Sequence, residues 1–183
     1  MTALRGRLLV ASPNLADPNF DRTVVLVLEH GDEGALGLVL NRPSDTDLSE
    51  TLPQWKAFAS FPTVVFVGGP VSPGAGICLA RVHDEREAEG WRPLFSRLGT
   101  VDLGHDPHEI AVGLEEVRVF AGYAGWDGGQ LESEITAGGW FVVASQPGDG
   151  FTADPDGLWR SVLRRQGGRL AMMASYPRDL SAN

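Results

Sequence analysis

The sequence predicts an α+β fold: a mixed sheet with helices packed around it. Three observations carry that prediction. Short runs rich in valine and leucine fill the first 70 residues, and several are continuously apolar, as in strands covered on both faces. The His30-to-Gly34 connection is too short for a parallel crossover and reads as an antiparallel hairpin. Later in the chain, acid–proline helix starts alternate with strand-like runs, which calls for crossovers.

In order, Arg7 to Ala11, Thr23 to Glu29 and Ala35 to Leu40 read as strands. Pro13-Asn14, Asp17-Pro18-Asn19, Gly31-Asp32 and Gly34 supply the turns between them. Asp47 is an N-cap with Glu50 at N3, so a helix begins there and is bent or restarted at Pro53. Thr63 to Val67, Gly76 to Val82 and Thr100 to Leu103 are further strands. His83 to Arg97 is the most polar and least patterned stretch and is expected to be a mobile loop. Asp106-Pro107 opens a short helix running on over Ile110 to Leu114. Val117 to Ala121 and Trp140 to Ala144 are strands flanking a helix from Gln130 to Ala137, which Gly138-Gly139 closes. Asp154-Pro155 opens the longest helix, with Leu158, Trp159, Val162 and Leu163 on one side and a stop at Gly167-Gly168. No repeat or linker divides the chain, so one domain over residues 1–183 is expected.

Charge and composition exclude several classes of function. Fifteen basic residues against 24 acidic ones give 183 residues a net charge of −9. A duplex would meet a repulsive field, which argues against direct nucleic-acid binding. The densest basic cluster, Arg160, Arg164 and Arg165, reads as a solvated helix face whose cations complement the helix dipole. No apolar run approaches the ~20 residues of a membrane span, so no membrane partner is expected. The single cysteine rules out an internal disulfide, and the chain reads as cytosolic.

Chemistry is sparse. Cys78 sits among apolar residues on a strand, where a thiol behaves as a small hydrophobe. His105 and His108 flank a helix start without the i, i+4 spacing of a metal-binding helix, so neither a metal nor a cofactor is expected. No nucleophile elbow or phosphate loop occurs. Asn41 and Arg42 close a strongly apolar strand; Arg42 suits a carboxylate, or equally the tethering of the sheet end. Gly68-Gly69 lets backbone approach a ligand or another strand. The Gly122-to-Gln130 segment reads as a tight strand-to-helix loop whose Tyr123, Trp126 and Gln130 are candidates for a binding surface.

Together these segments resemble the YqgE/AlgH family of bacterial proteins. The resemblance rests on Ala11-Ser12-Pro13, Asp17-Pro18-Asn19-Phe20, Gly34 to Pro43, Gly68-Gly69-Pro70-Val71, Gly122 to Trp126, Gly129 to Glu132, Gly139-Trp140, Leu158-Trp159 and Asn183. It implies a bifurcated, strongly curved sheet forming a pseudo-barrel flanked by helices. It implies no reaction and no catalytic residue, although some members carry the label of transcriptional regulator. The expectation is a non-enzymatic binding or regulatory module for a protein or small molecule, with binding residues His30, Asn41, Arg42, Tyr123, Trp126 and Gln130. The alternatives are an enzyme in which His30, Asn41, Arg42 and Gln130 share a cleft, and a DNA-binding regulator.

Overall fold

The computed structural model describes residues 3–15, 17–84, 88–110 and 113–176. Among them ten strands form one sheet: β1 (Arg7–Ala11), β2 (Val24–Gly31), β3 (Gly34–Val39), β4 (Pro43–Asp47), β5 (Val64–Val67), β6 (Val71–Val82), β7 (Trp91–Phe95), β8 (Leu98–Val101), β9 (Leu114–Asp127) and β10 (Trp140–Ala144). The helices are α1 (Leu48–Thr51), α2 (Pro53–Lys56), α3 (Gln130–Thr136), α4 (Leu158–Gln166) and α5 (Gly168–Met173). The spatial order is β10-β1-β2-β3-β9-β6-β8-β7, with β5 beside β9 and β4 beside β5. Every pairing is antiparallel except β5 with β9. The fold is mixed α+β, and its sheet curls into a half-barrel.

β9 is where the sheet divides. Its C-terminal half pairs with β3 from Gly34↔Asp127 to Gly37↔Ala124, and its N-terminal half pairs with β5 through Phe66↔Phe120 and Val67↔Ala121. β6 runs along its other edge. At the fork a Cβ on Gly68 would lie 2.3 Å from the Gly122 carbonyl oxygen, and one on Gly69 would lie 2.2 Å from the Tyr123 backbone. The Gly68-Gly69 pair therefore admits a neighbouring strand.

Alternation of side chains across the sheet makes two buried faces. On the concave face Leu8, Leu26, Leu38, Leu79, Phe120 and Leu98 meet Trp159, Val162 and Leu163 of α4. On the outside, α1 and α2 place Leu48 and Trp55 against Cys78, Val117 and Val119. Elsewhere on the outside, Leu131 of α3 joins Val25, Val27, Trp126 and Trp140. β1 and the first five residues of β2 are buried almost throughout, as continuously apolar runs require.

Helix starts follow their caps. The Asp47 carboxylate accepts the Ser49 N–H at 2.8 Å, and this bond with Lys56 holds its pKa down at about 2. The helix restarts at Pro53. Gly138, at φ +82°, follows the C-terminus of α3, and Gly167, at φ +71°, ends α4.

Several expectations are corrected. Asp106 caps only a three-residue 3-10 turn, Pro107–Glu109; Ile110 is already extended, and Leu114 lies in β9. Ala111 and Val112, in the middle of the expected helix, lie outside the described residues, as do residues 85–87 of the expected loop and Asn183. That loop also contains β7, because Trp91 is buried against Val101, and Ser96 and Arg97, both at positive φ, turn the chain back into β8. β8 is Leu98–Val101, two residues earlier than Thr100 to Leu103. Asp154 opens a 3-10 turn before α4. β4 and α5 were not anticipated.

The largest correction concerns Gly122 to Gln130. It is not a loop: Gly122 to Asp127 continue β9, with burial alternating residue by residue from buried Gly122, Ala124 and Trp126 to Gly125 and Asp127 outside. Gly122 has φ +74°, and a Cβ there would meet the Gly69 carbonyl at 2.5 Å. Its glycines serve close strand approach, and only Gly128-Gly129 turns into α3.

Candidate functional site

The six candidate residues do not converge. Trp126 is 6% exposed and packs against both Phe20 and Trp140, with ring centroids 6.1 and 6.0 Å away. It is a core residue, since its strand position points it to the outer face that α3 covers. Tyr123 is half-buried against the concave core. The Gln130 side chain accepts the Asp127 N–H at 3.0 Å, tying the start of α3 to the end of β9.

His30 ends β2, and its side chain is 1% exposed. Nδ1 accepts the Leu4 N–H at 3.0 Å, so the ring proton sits on Nε2 and is donated to the Glu132 carboxylate. That bond is the first cause holding the Glu132 carboxyl below its ordinary range. His30 joins the N-terminal segment to α3 and does not border the cleft that holds Asn41 and Arg42. The four-residue acid–base cleft is therefore not formed.

Asn41 and Arg42 lie together, at the edge of a polar cleft of about 980 Å³. Asn41 is its clamp: Oδ1 accepts the Val24 N–H at 3.0 Å, and Nδ2 donates to the Arg22 carbonyl at 2.9 Å. The clamp spans Thr23 and fixes the carbonyl of Arg22, whose φ of +53° is a left-handed conformation that a large side chain rarely adopts. Arg22 then lays its guanidinium 4.7 Å from the Trp159 ring centroid and donates to the Tyr176 carbonyl at 2.7 Å. Trp159 is itself fixed by an indole N–H to the Ala11 carbonyl at 2.8 Å.

Arg42 donates to the carbonyls of Asn19 at 2.6 Å, Asp21 at 3.0 Å and Pro18 at 3.3 Å. One guanidinium thus gathers the Asp17–Asp21 turn, which brings Pro18 and Asp21 to the cleft. Arg160 of α4 is the third cation; its Nε is buried and has no hydrogen-bond partner among the described residues. Asp21 and Asp156 are the acids there. Among the described residues that border the cleft, three are cations and two are carboxylates.

Arg22, Trp159 and Arg160 are additions to the candidate set. Arg160 was read with Arg164 and Arg165 as one solvated face, but α4 separates them. Arg165 pairs bidentately with Asp149 at 2.8 and 2.7 Å, whereas Arg160 turns to the cleft. The available signal was the Trp159-Arg160 adjacency on a helix whose apolar side must face the sheet.

Two other groups have structural positions. Cys78 is 1% exposed, and burial pushes its thiol up to about 12. Arg118 lies 4.2 Å over Phe66 and donates to the carbonyls of Thr152 at 2.9 Å and Phe61 at 2.8 Å; burial lowers its pKa to about 10. It ties two loops to β9. Among the described residues no group of three or more His, Cys, Asp or Glu side chains is placed to hold a metal ion, and no helix is long and apolar enough to cross a membrane.

Comparison with known proteins gives a consistent result. The AlgH-like family model matches residues 8–171. A UPF0301 protein of Streptomyces coelicolor is 51% identical over 187 residues, covering 100% of this chain and 97% of its own. A UPF0301 protein of Thermobifida fusca is 48% identical over 190 residues, covering 99% and 96%. Among solved structures, a Corynebacterium diphtheriae protein superposes with TM-score 0.85 at 32% identity, covering 96% of this chain and 93% of its own. The solution structure of AlgH from Pseudomonas aeruginosa, a UPF0301 protein, gives 0.72 at 31%, covering 96% and 95%. None of these names states an activity. By family model, relatives and fold alike, the chain belongs to the AlgH-like, or UPF0301, family.

Proposed function

We propose that this protein is a non-enzymatic, cytoplasmic binding module that receives an oxyanion-bearing ligand, a carboxylate or phosphate, in the cleft between Arg42 and Arg160. The observation that carries the reading is the buried, unpartnered Nε of Arg160 at a cleft that two further guanidinium groups border. A buried N–H without an acceptor is costly, and an oxyanion would relieve that cost through a charge-assisted bond. The strained Arg22 backbone, held by Asn41, supports the same reading, because strain is retained where geometry is used. The cleft's size suits a small molecule or a chain terminus.

The test is a titration of the labelled protein with inorganic phosphate and with citrate, followed by NMR at the Arg160 Nε–H. Arg160→Gln is expected to weaken binding about tenfold, the scale of one hydrogen bond to a charged group, with no loss of melting temperature. Wild-type affinity in the variant, or no saturable shift in the wild type, rejects the cleft. A regulatory role, in this reading, acts through the ligand: with a net charge of −9, no gel-shift complex with duplex DNA is expected even at low salt.

A further inference from the structure

A second cavity, of about 520 Å³, opens at one end of the half-barrel's concave face, far in composition from the arginine cleft. Its walls are Leu28 and Leu36 of the β2–β3 hairpin, Ile77 of β6, and Trp91 and Leu94 of β7. Leu36, Ile77 and Leu94 are the partly buried fringe of the concave core, whose inner members include Leu38, Leu79 and Leu98. The core filling thins here, leaving an apolar hollow in the mouth of a curled sheet, a common place for ligands.

The rim is charged. Glu29, Asp102 and Arg92 border the hollow, two carboxylates to one guanidinium. The Asp102 carboxylate also accepts the Gly104 N–H at 2.8 Å and lies 3.7 Å from His105. Glu29 makes no ion pair among the described residues. It stands where the β2–β3 register shifts, between Val27 and Glu29. A bulge of this kind re-aims side chains, which lets consecutive residues, buried Leu28 and exposed Glu29, both border one cavity.

We infer that the mouth of the half-barrel binds a small amphipathic cation, with its apolar body against Leu36, Ile77 and Leu94 and its ammonium at Glu29. This site is independent of the oxyanion cleft and stands if that reading fails. Octylammonium, octanol and octanoate share one tail and differ only in the head, so titrating each into ¹⁵N-labelled protein separates the two parts of the inference. Saturable shifts are expected at the Leu28, Leu36, Ile77 and Leu94 amides. Octylammonium should bind about fivefold more tightly than octanol, the scale of one partly exposed ion pair, and octanoate most weakly. Glu29→Gln, an exposed substitution, is expected to remove that fivefold preference and leave octanol affinity unchanged. Any other order of affinities, an undiminished preference in the variant, or the absence of saturable shifts at the mouth overturns the inference.

Discussion

At the end of β2 the His30 ring accepts the Leu4 N–H and passes its own proton toward Glu132, so one side chain fixes both the N-terminal segment and α3. The lowered Glu132 pKa has a definite sign: its stabilisation is present above the unfolded-state pKa and is lost as pH falls through the folded one. Glu132→Gln is therefore expected to be less stable than the wild type at pH 7, with the difference shrinking below about pH 4.5. Urea midpoints of both proteins at pH 7 and pH 3.5 measure this, and a gap of the same size at both would show that the carboxylate charge is not responsible. His30 was legible as a polar group at a strand end, but its partners are 26 and 102 residues away, and no local pattern encodes such pairings. Asn41 and Arg42 were legible as tethers of a sheet end, one of the two readings their positions allow.

Glycine at the element scale has two meanings that sequence alone does not separate. Gly68 needs space, since its Cβ would meet the Gly122 carbonyl at 2.3 Å, whereas Gly129 has open space around it and needs only its φ of +81°. Gly68→Ala is accordingly expected to cost about 3 kcal/mol or more through backbone displacement, and Gly129→Ala about 1 kcal/mol through left-handed strain. Chemical denaturation ranks the two, and the reverse order would contradict the fork described for β9. The same ambiguity hid half of β9. Glycines at 122, 125, 128 and 129 read as a loop, although the buried Ala124 and Trp126 already alternate with the exposed Gly125 and Asp127. β7 was hidden for a different reason: Arg92 and Pro93 are polar or strand-breaking, and an edge strand tolerates both.

Across the whole molecule, β1, β2, β3, β6 and β9 each contribute to more than one buried cluster, so the two faces of the sheet are covered by the same strands. Trp126→Ala removes one of the three mutually packed rings of Phe20, Trp126 and Trp140 and is expected to cost about 3–5 kcal/mol. We expect it to lower the midpoint of one cooperative transition. Scanning calorimetry resolving two transitions, with only one shifted, would instead divide the chain into separate folding units and defeat the single-domain expectation.

Local chemistry determined where strands and helices begin. Acceptors at Asp47 and Asp154, prolines at 53 and 155 and glycines at 138 and 167 act within a few residues, and continuous apolar runs imply cover on both faces whatever provides it. The half-barrel, the fork at β9 and the two cavities depend on side chains brought together from distant positions. Arg22, Arg42 and Arg160 border one cleft only because α4 packs on the concave face, bringing Trp159 beneath Arg22. Burial of apolar surface is non-directional: the sequence specifies how much must be covered, and only the packed chain decides which charges end up side by side.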